Sequence, residues 1–246
     1  MKRAALQSLG FCVFLYALIY GTAGLKGSER FEDPIFHVFL TGGLTLLCVA
    51  LLVARDAKPF ESLKLERAPL LKTVGFGLLG VVGVYVLNAT VTLTYLLATG
   101  GIKEKVAQKA DWAFGLASIP LMWVIPLTMF VGFYEEVAFR GFLLRRLDSA
   151  LGERIADQRQ RLVWAAVISG LIFGGLHGYQ GVMGVLQTSA VGIALGLLAA
   201  WRGSTWPGIV AHFTIDAFGL FALKVLRPAA EVALKKLQSS GLDAGM

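Results

Sequence analysis

Acidic residues and histidines occur in three short motifs within otherwise apolar stretches of the second half of the chain. The motifs are Glu135-Glu136-Val-Ala-Phe-Arg140-Gly141, Phe173-Gly-Gly-Leu-His177 and His212-Phe-Thr-Ile-Asp216. Carboxylates and imidazoles can take a proton from water and pass it to a leaving group, which is general acid–base chemistry. An ionisable group within a bilayer costs roughly 2.5–3.5 kcal/mol by insertion scales, so each one needs a reason. The motifs together predict a functional site.

Helical spacing predicts how these side chains are arranged. Glu136 and Arg140 are four residues apart, as are His212 and Asp216, so each pair shares one face of its helix. Glu135 lies about 100° around the helix from Glu136 and can point into a cavity. We expect the pair of Glu136 and Arg140 to hold the helix and to tune the charge of Glu135. Each motif alone could also be structural, because polar pairs between helices are common. The occurrence of all three motifs in one chain favours a functional site.

The three motifs resemble those of a known family. The order Glu-Glu-x-x-x-Arg, Phe-x-x-x-His and His-x-x-x-Asn/Asp is similar to that of the CPBP intramembrane proteases, which include CaaX prenyl endopeptidases and bacteriocin-immunity (Abi) proteins. The resemblance covers about residues 113–226. It implies an intramembrane endopeptidase that cuts a membrane-associated protein or peptide, with a CaaX-type tail as one substrate. The implied site residues are Glu135, His177, His212 and Asp216, supported by Glu136, Arg140 and Phe173.

Peptide hydrolysis needs an activated water, a polarised carbonyl and a proton for the leaving amine. Glu135 is the expected general base, and His177 is expected to help orient and deprotonate the water. His212, with Asp216, is expected to face the substrate carbonyl. The family often has Asn where this chain has Asp216, and an ionised Asp cannot donate a hydrogen bond. Asp216 is therefore expected to be protonated, to orient His212 or to hold a metal indirectly.

A metal is the alternative to this mechanism. One Glu and two His match a zinc-hydrolase ligand set, and the ligands would be Glu135, His177 and His212. The His-Glu-x-x-His helix of many zinc proteases is absent from the sequence. We therefore expect a metal-free glutamate mechanism with no required cofactor, and keep zinc as the second hypothesis.

Two other classes of function are kept as alternatives. Carboxylates and histidines near the middle of a membrane also form ion or proton paths in coupled transporters. The internal repeats that favour a transporter are not evident in the sequence. A non-catalytic membrane scaffold or immunity protein is the other alternative, and the intact motif residues count against it.

The elements that must position these motifs are apolar runs of membrane length. The chain has 246 residues, of which 56% are hydrophobic and 16% charged, against about 25% charged in soluble domains. About 20 mostly apolar residues cross a bilayer. The sequence thus predicts an all-α polytopic membrane helix bundle of seven, or eight, transmembrane helices. The seven runs are Leu6–Leu25, Ile35–Ala54, Thr73–Ala98, Ala113–Tyr134, Leu162–Leu176, Val182–Trp201 and Trp206–Leu226. The fifth run is the shortest and weakest, and a broken or re-entrant helix is the alternative for it.

The predicted organisation has amino-terminal helices in residues 1–112, a CPBP-like catalytic bundle in 113–226 and a short polar tail in 227–246. Glycines in the fifth and sixth runs, such as Gly170 and Gly192, predict close helix packing. Glycines around His177 leave room for backbone or substrate. The first run, which follows a basic start, is expected to be an uncleaved span rather than a signal peptide.

The net charge of +7 arises largely from basic residues between the apolar runs. They concentrate in Arg55–Lys72 and Arg140–Arg161, and the positive-inside rule puts both segments and the amino terminus in the cytoplasm. The predicted location is the bacterial cytoplasmic (inner) membrane. Membrane lipid and a membrane-associated protein or peptide substrate are the expected partners. Nucleic acid is not expected, and the sequence does not predict an oligomeric state.

Overall fold

The computed structural model describes residues 2–23, 33–99 and 116–241, and all regular elements in these ranges are helices. A π-helical segment, Val137–Leu143, joins the helices Leu121–Glu136 and Leu144–Leu151 without a break, and a 3-10 turn, Gly178–Gln180, precedes the helix Gly181–Arg202. The predicted all-α membrane bundle is confirmed. The helices are α1 (Lys2–Ala23), α2 (Pro34–Val53), α3 (Pro59–Ser62), α4 (Leu70–Thr99), α5 (Leu121–Glu136), α6 (Leu144–Leu151), α7 (Gln158–Leu176), α8 (Gly181–Arg202) and α9 (Trp206–Gly241).

The predicted number of membrane spans is wrong. In the described ranges six helices, rather than seven or eight, are long and apolar enough to cross a membrane. The predicted span Leu162–Leu176 is part of α7, whose first turn contains Gln158, Arg159, Gln160 and Arg161. At about 1.5 Å per residue, its apolar part falls short of the roughly 30 Å of hydrocarbon. The six spans are Lys2–Thr22, Pro34–Val53, Leu70–Thr99, Leu121–Leu151, Gly178–Arg202 and Trp206–Ala229.

The fourth span also differs from its prediction. It begins at Leu121 after Pro120 and continues through the π segment to Leu151. Arg140, which was predicted to begin a cytoplasmic loop, is instead buried in the bundle with 1% of its surface exposed. An arginine that forms an ion pair can lie within an apolar helix. Hydropathy does not detect the ion pair, so it placed Arg140 at the end of the helix. The predicted ends Leu25 and Ala113, and residues 242–246 of the tail, lie outside the described ranges.

Close backbone contact holds α7 against α8. A Cβ atom at Gly170 would lie 2.5 Å from the backbone nitrogen of Ile193, and one at Gly192 would lie 2.8 Å from the Cα atom of Gly170. No side chain other than hydrogen fits at either position. The predicted packing role of these glycines is confirmed, and they hold α7 in the bundle although its apolar part is too short to span the membrane.

The amino-terminal helices pack directly on the segment that carries the first motif. Phe11 of α1 and Phe142 of the π segment meet edge to face, with ring centroids 5.0 Å apart. The same buried apolar cluster includes Val49 of α2 and Phe173 of α7. The helices outside the motif region therefore help to fix the position of the motif helix.

Polar contacts gather several chain segments at one end of the bundle. Asp56, which follows α2, pairs with Arg3 of α1 at 3.9 Å and more closely with Arg146 of α6. Thr205, which precedes α9, donates from its backbone N–H to the carbonyl of Lys64 at 3.0 Å. The start of α1, the α2–α4 connection, α6 and the α8–α9 turn thus meet at the same end.

Candidate active site

The first motif lies where α5 passes into the π segment. Glu135 and Glu136 end α5, and Arg140 lies in the middle of the π-helical stretch. All seven residues of the stretch are buried. Single π turns are rare within α-helices and are frequent at functional sites, because they change the direction of the following side chains. Here the turn carries a buried charge into the bundle.

Glu136 is the centre of a buried charge network. Its Oε1 atom lies 2.8 Å from Arg140 Nη1 and 2.9 Å from His212 Nδ1. Arg140 Nη2 donates to the carbonyl oxygen of Gly192 at 3.0 Å, and its guanidinium lies 5.0 Å from the centroid of the Phe173 ring. The predicted pair of Glu136 and Arg140 is confirmed. The bond from Glu136 to His212 was not predicted, and it connects α5 to α9.

His212 is held between three carboxylates. Its Nδ1–H donates to Glu136, which turns Nε2 towards Glu135 Oε2 at 3.6 Å and Asp216 Oδ2 at 3.5 Å. The ring is buried. A histidine whose Nδ1 is bonded to a carboxylate has a fixed orientation and a defined role for Nε2. The predicted proximity of His212 and Asp216 is confirmed, and Glu135 lies at the same nitrogen.

The two carboxylate oxygens of Glu135 have different partners. Oε1 accepts a hydrogen bond from the Tyr134 hydroxyl at 2.9 Å, and Oε2 faces His212. The side chain is 12% exposed, whereas that of Glu136 is fully buried. Of the two adjacent glutamates, Glu135 is thus the one that water or substrate can reach.

His177 caps the carboxyl end of α7 and is connected to the cluster through an aromatic ring. Its Nδ1–H donates to the carbonyl oxygen of Phe173 at 2.8 Å, which leaves Nε2 as an acceptor. The Phe173 ring lies 4.7 Å from the His177 ring and 6.1 Å from the His212 ring, measured between centroids. The structure brings Glu135, Glu136 and Asp216 into contact with His212, and the Phe173 ring lies against the rings of both His177 and His212.

Tyrosine side chains from α1 occupy the space that the glycines beside His177 leave. A Cβ atom at Gly175 would lie 2.8 Å from the Tyr16 hydroxyl, and one at Gly178 would lie 2.9 Å from the Tyr20 hydroxyl. Tyr20 also donates to the carbonyl of Gly175 at 3.2 Å. Backbone or substrate was predicted to use this room. Side chains of α1 fill it at Gly175 and Gly178, whereas at Gly174 the backbone of α8 approaches as predicted, with Ser189 N 2.8 Å from a Cβ atom built there.

Two residues of the site were not predicted from the sequence. Tyr134 bonds to Glu135, and its ring packs against Gly42 of α2, where a Cβ would lie 2.6 Å away. A Cβ at Gly208 of α9 would lie 2.5 Å from Glu136 Oε2, so a glycine is needed there. The only signal for Tyr134 was a hydroxyl donor directly before two glutamates in an apolar helix.

The zinc hypothesis finds limited support in this geometry. Among the residues that the structure describes, no three His, Cys, Asp or Glu side chains are arranged to hold a metal ion. Nδ1 of His212 bonds to Glu136 and Nδ1 of His177 bonds to a backbone carbonyl, which leaves Nε2 of each ring for a metal, as in most histidine ligands. Glu135, His177 and His212 are residue types that bind zinc, but they are not arranged as a zinc site, and we assign zinc no role in the mechanism.

Comparison with known proteins concerns the same part of the chain. Residues 117–218 match the family model of the Rce1-like type II CAAX prenyl endopeptidases, and this range contains all three motifs. The predicted CPBP resemblance is confirmed. The Rce1-like segment begins just before α5 and ends in α9, so α1, α2 and α4 lie outside it. With its six membrane-length helices, the protein is an integral membrane protein.

A bacterial protein is similar to about half of this chain. The uncharacterized protein YpbD of Bacillus subtilis (strain 168) is 31% identical to this chain over 134 residues. The alignment covers 54% of this chain and 56% of YpbD, so the chain spans little more than half the length of this relative. No solved structure matches the chain.

Proposed function

We propose that this protein is an intramembrane endopeptidase that hydrolyses a peptide bond of a membrane-associated protein or peptide. The observation that carries the proposal is the contact of Glu135 and Asp216 with Nε2 of one buried histidine, His212, inside an Rce1-like segment. The family description names CAAX prenyl endopeptidases, and a CaaX-type tail is the substrate class we propose first.

Glu135 is the proposed general base. Tyr134 holds one of its oxygens, and the other takes a proton from a water molecule that attacks the substrate carbonyl carbon. His177 Nε2 accepts a second hydrogen bond from this water. His212 donates from Nε2–H to the carbonyl oxygen as it becomes negative, and Asp216 orients the ring. When the C–N bond breaks, Glu135 returns its proton to the leaving amine.

Glu136 and Arg140 are proposed as positioning residues. Glu136 fixes Nδ1 of His212, and Arg140 compensates the charge of Glu136 without contact with solvent. In this arrangement the second glutamate acts on the histidine, and the first glutamate acts on water. The two adjacent carboxylates therefore have separate tasks.

We also propose that the protein lies in the bacterial cytoplasmic membrane with its amino terminus in the cytoplasm. The contacts of Asp56 with Arg3 and Arg146 support a location of the amino terminus and both basic segments on the same side of the membrane. The positive-inside rule assigns that side to the cytoplasm.

The hydrogen bond from Tyr134 predicts the effect of Tyr134→Phe. Loss of a hydrogen bond to a charged group costs roughly 1.5–3 kcal/mol, so we expect kcat to fall by about tenfold or more at constant KM. Steady-state kinetics on a verified substrate measure this. Tyr95→Phe is the control, because Tyr95 lies near the end of α4, outside the helices that carry the motifs. If Tyr134 acts through Glu135, Tyr134→Phe should cause no further loss of kcat in a Glu135→Gln background. A loss there as large as the loss in the wild type would show that Tyr134 does not act through Glu135.

The metal-free mechanism predicts that purified protein keeps its activity in the presence of a chelator. Elemental analysis should then find no stoichiometric zinc, and His177→Ala and His212→Ala should be inactive without any change in metal content. Inactivation by the chelator with recovery on added zinc would replace this mechanism by a zinc-dependent one. Loss of bound zinc in either histidine variant would identify the ligands.

A further inference from the structure

A groove of about 740 Å³ opens between α1 and α2, away from the candidate active site. A Cβ atom at Gly10 would meet no atom within 4 Å, so the α1 side of the groove is open at this residue. Leu6 and Leu51 are each about two-thirds exposed, which means that the groove faces the surrounding membrane. The apolar lining consists of Leu6, Gly10, Phe11, Cys48, Leu51 and Leu52.

Two arginines line the same groove at the end of the bundle where α1 begins and α2 has ended. Arg3 is 58% exposed and, among the residues that the structure describes, it pairs only with Asp56, at 3.9 Å, while Asp56 pairs more closely with Arg146. Arg55 is exposed and forms no ion pair with any residue that the structure describes. The groove thus combines an apolar channel with positive charge that the protein does not fully compensate.

We propose that this groove binds one anionic phospholipid. The phosphate lies between Arg3 and Arg55, because guanidinium groups bind phosphate oxygens in a bidentate manner. One acyl chain then follows the groove past Gly10 and Cys48. The arginines lie at the level of the helix ends, where lipid head groups are found, and the apolar lining lies at the level of the acyl chains.

The same features argue against a second copy of the chain as the occupant. A twofold contact places the same surface patch of each copy against the other. Arg3 and Arg55 of both copies would then meet, and like charges would repel each other. An anionic lipid instead complements both the charge and the apolar lining.

Gly10→Leu tests whether the groove itself binds the lipid. The purified full chain in detergent is titrated with phosphatidylglycerol and, separately, with phosphatidylcholine, and bound lipid is counted by native mass spectrometry. We expect one retained phosphatidylglycerol in the wild type, and its loss in Gly10→Leu because the new side chain fills the channel. Gly21→Leu is the matched control: it lies on the same helix, its Cβ also meets no atom within 4 Å, and it does not line the groove.

Arg3→Gln and Arg55→Gln test the head-group contact without filling the groove. Both side chains are exposed, so these variants keep the fold. A basic residue near an anionic surface contributes about fivefold to affinity, and each variant should lower phosphatidylglycerol binding by about that factor. Lys58→Gln, at the same end but paired with Glu61, should leave binding unchanged. The proposal would be overturned if phosphatidylcholine were retained as well as phosphatidylglycerol, or if Gly10→Leu and Gly21→Leu bound the lipid equally. Dimers that displace the lipid would also overturn it.

Discussion

Glu135→Gln should remove turnover on a verified substrate while folding and substrate binding stay nearly intact. The change is almost isosteric, and the amide cannot take the proton of the attacking water. Loss of a positioned general base typically lowers the rate by about 10²–10⁴-fold. Tyr134 can still donate to the remaining carbonyl oxygen, so the side chain keeps its place. The measurements are kcat, KM and the binding of an uncleaved substrate peptide in vesicles or detergent.

The adjacent glutamate provides the control for this experiment. Glu136→Gln has the same chemistry in the same helix, but Glu136 is fully buried and contacts His212 and Arg140. We expect a milder loss of activity, or a loss that follows reduced stability. If Glu135→Gln kept full activity, the proposed endopeptidase mechanism would be wrong whatever the metal content of the protein.

Arg140→Ala should lower the free energy of unfolding by about 3–5 kcal/mol. Removal of one partner of a buried ion pair leaves the other charge uncompensated, which is much more destabilising than removal of both. Here Glu136 would remain buried, and the carbonyl of Gly192 would lose its donor. Unfolding of purified protein by a denaturing detergent, followed by circular dichroism, measures the change.

Three variants make the stability experiment specific. Arg154→Ala removes an exposed arginine and should have little effect. Arg140→Lys keeps the charge but cannot reach both Glu136 and Gly192 in the same way, so its effect should be intermediate. Glu136→Gln added to Arg140→Ala should recover part of the loss. Equal stabilities of Arg140→Ala and Arg154→Ala would mean that the buried pair contributes nothing.

Local spacing predicted the parts of the site that lie within one helix. Glu136 with Arg140, and His212 with Asp216, are four residues apart, and the geometry of an α-helix brings such residues together. The rise of 1.5 Å per residue and the apolar composition likewise predicted the membrane helices. These predictions need no knowledge of how the helices pack.

Contacts between helices could not be predicted in this way. The bond from Glu136 to His212 joins residues 76 positions apart, and it depends on how α5 and α9 are rotated against each other. The π segment changes the direction of the side chains that follow Glu136, and no pattern in the sequence indicated it. The run Leu162–Leu176 was wrongly predicted to be a span for a related reason, because a short apolar run can belong to a helix that packs in the bundle without crossing the membrane.

The network around Arg140 also sets an order for biosynthesis. Glu136 and Arg140 leave the ribosome almost together, whereas Gly192 follows Arg140 by 52 residues and His212 follows Glu136 by 76. When the α5 helix enters the bilayer, its later partners have not yet been made. Because the two charges are one helical turn apart, they can neutralise each other during insertion, which lowers the penalty for placing each one in lipid. The site is then completed when α9, the last of the membrane-length helices in the described chain, is inserted.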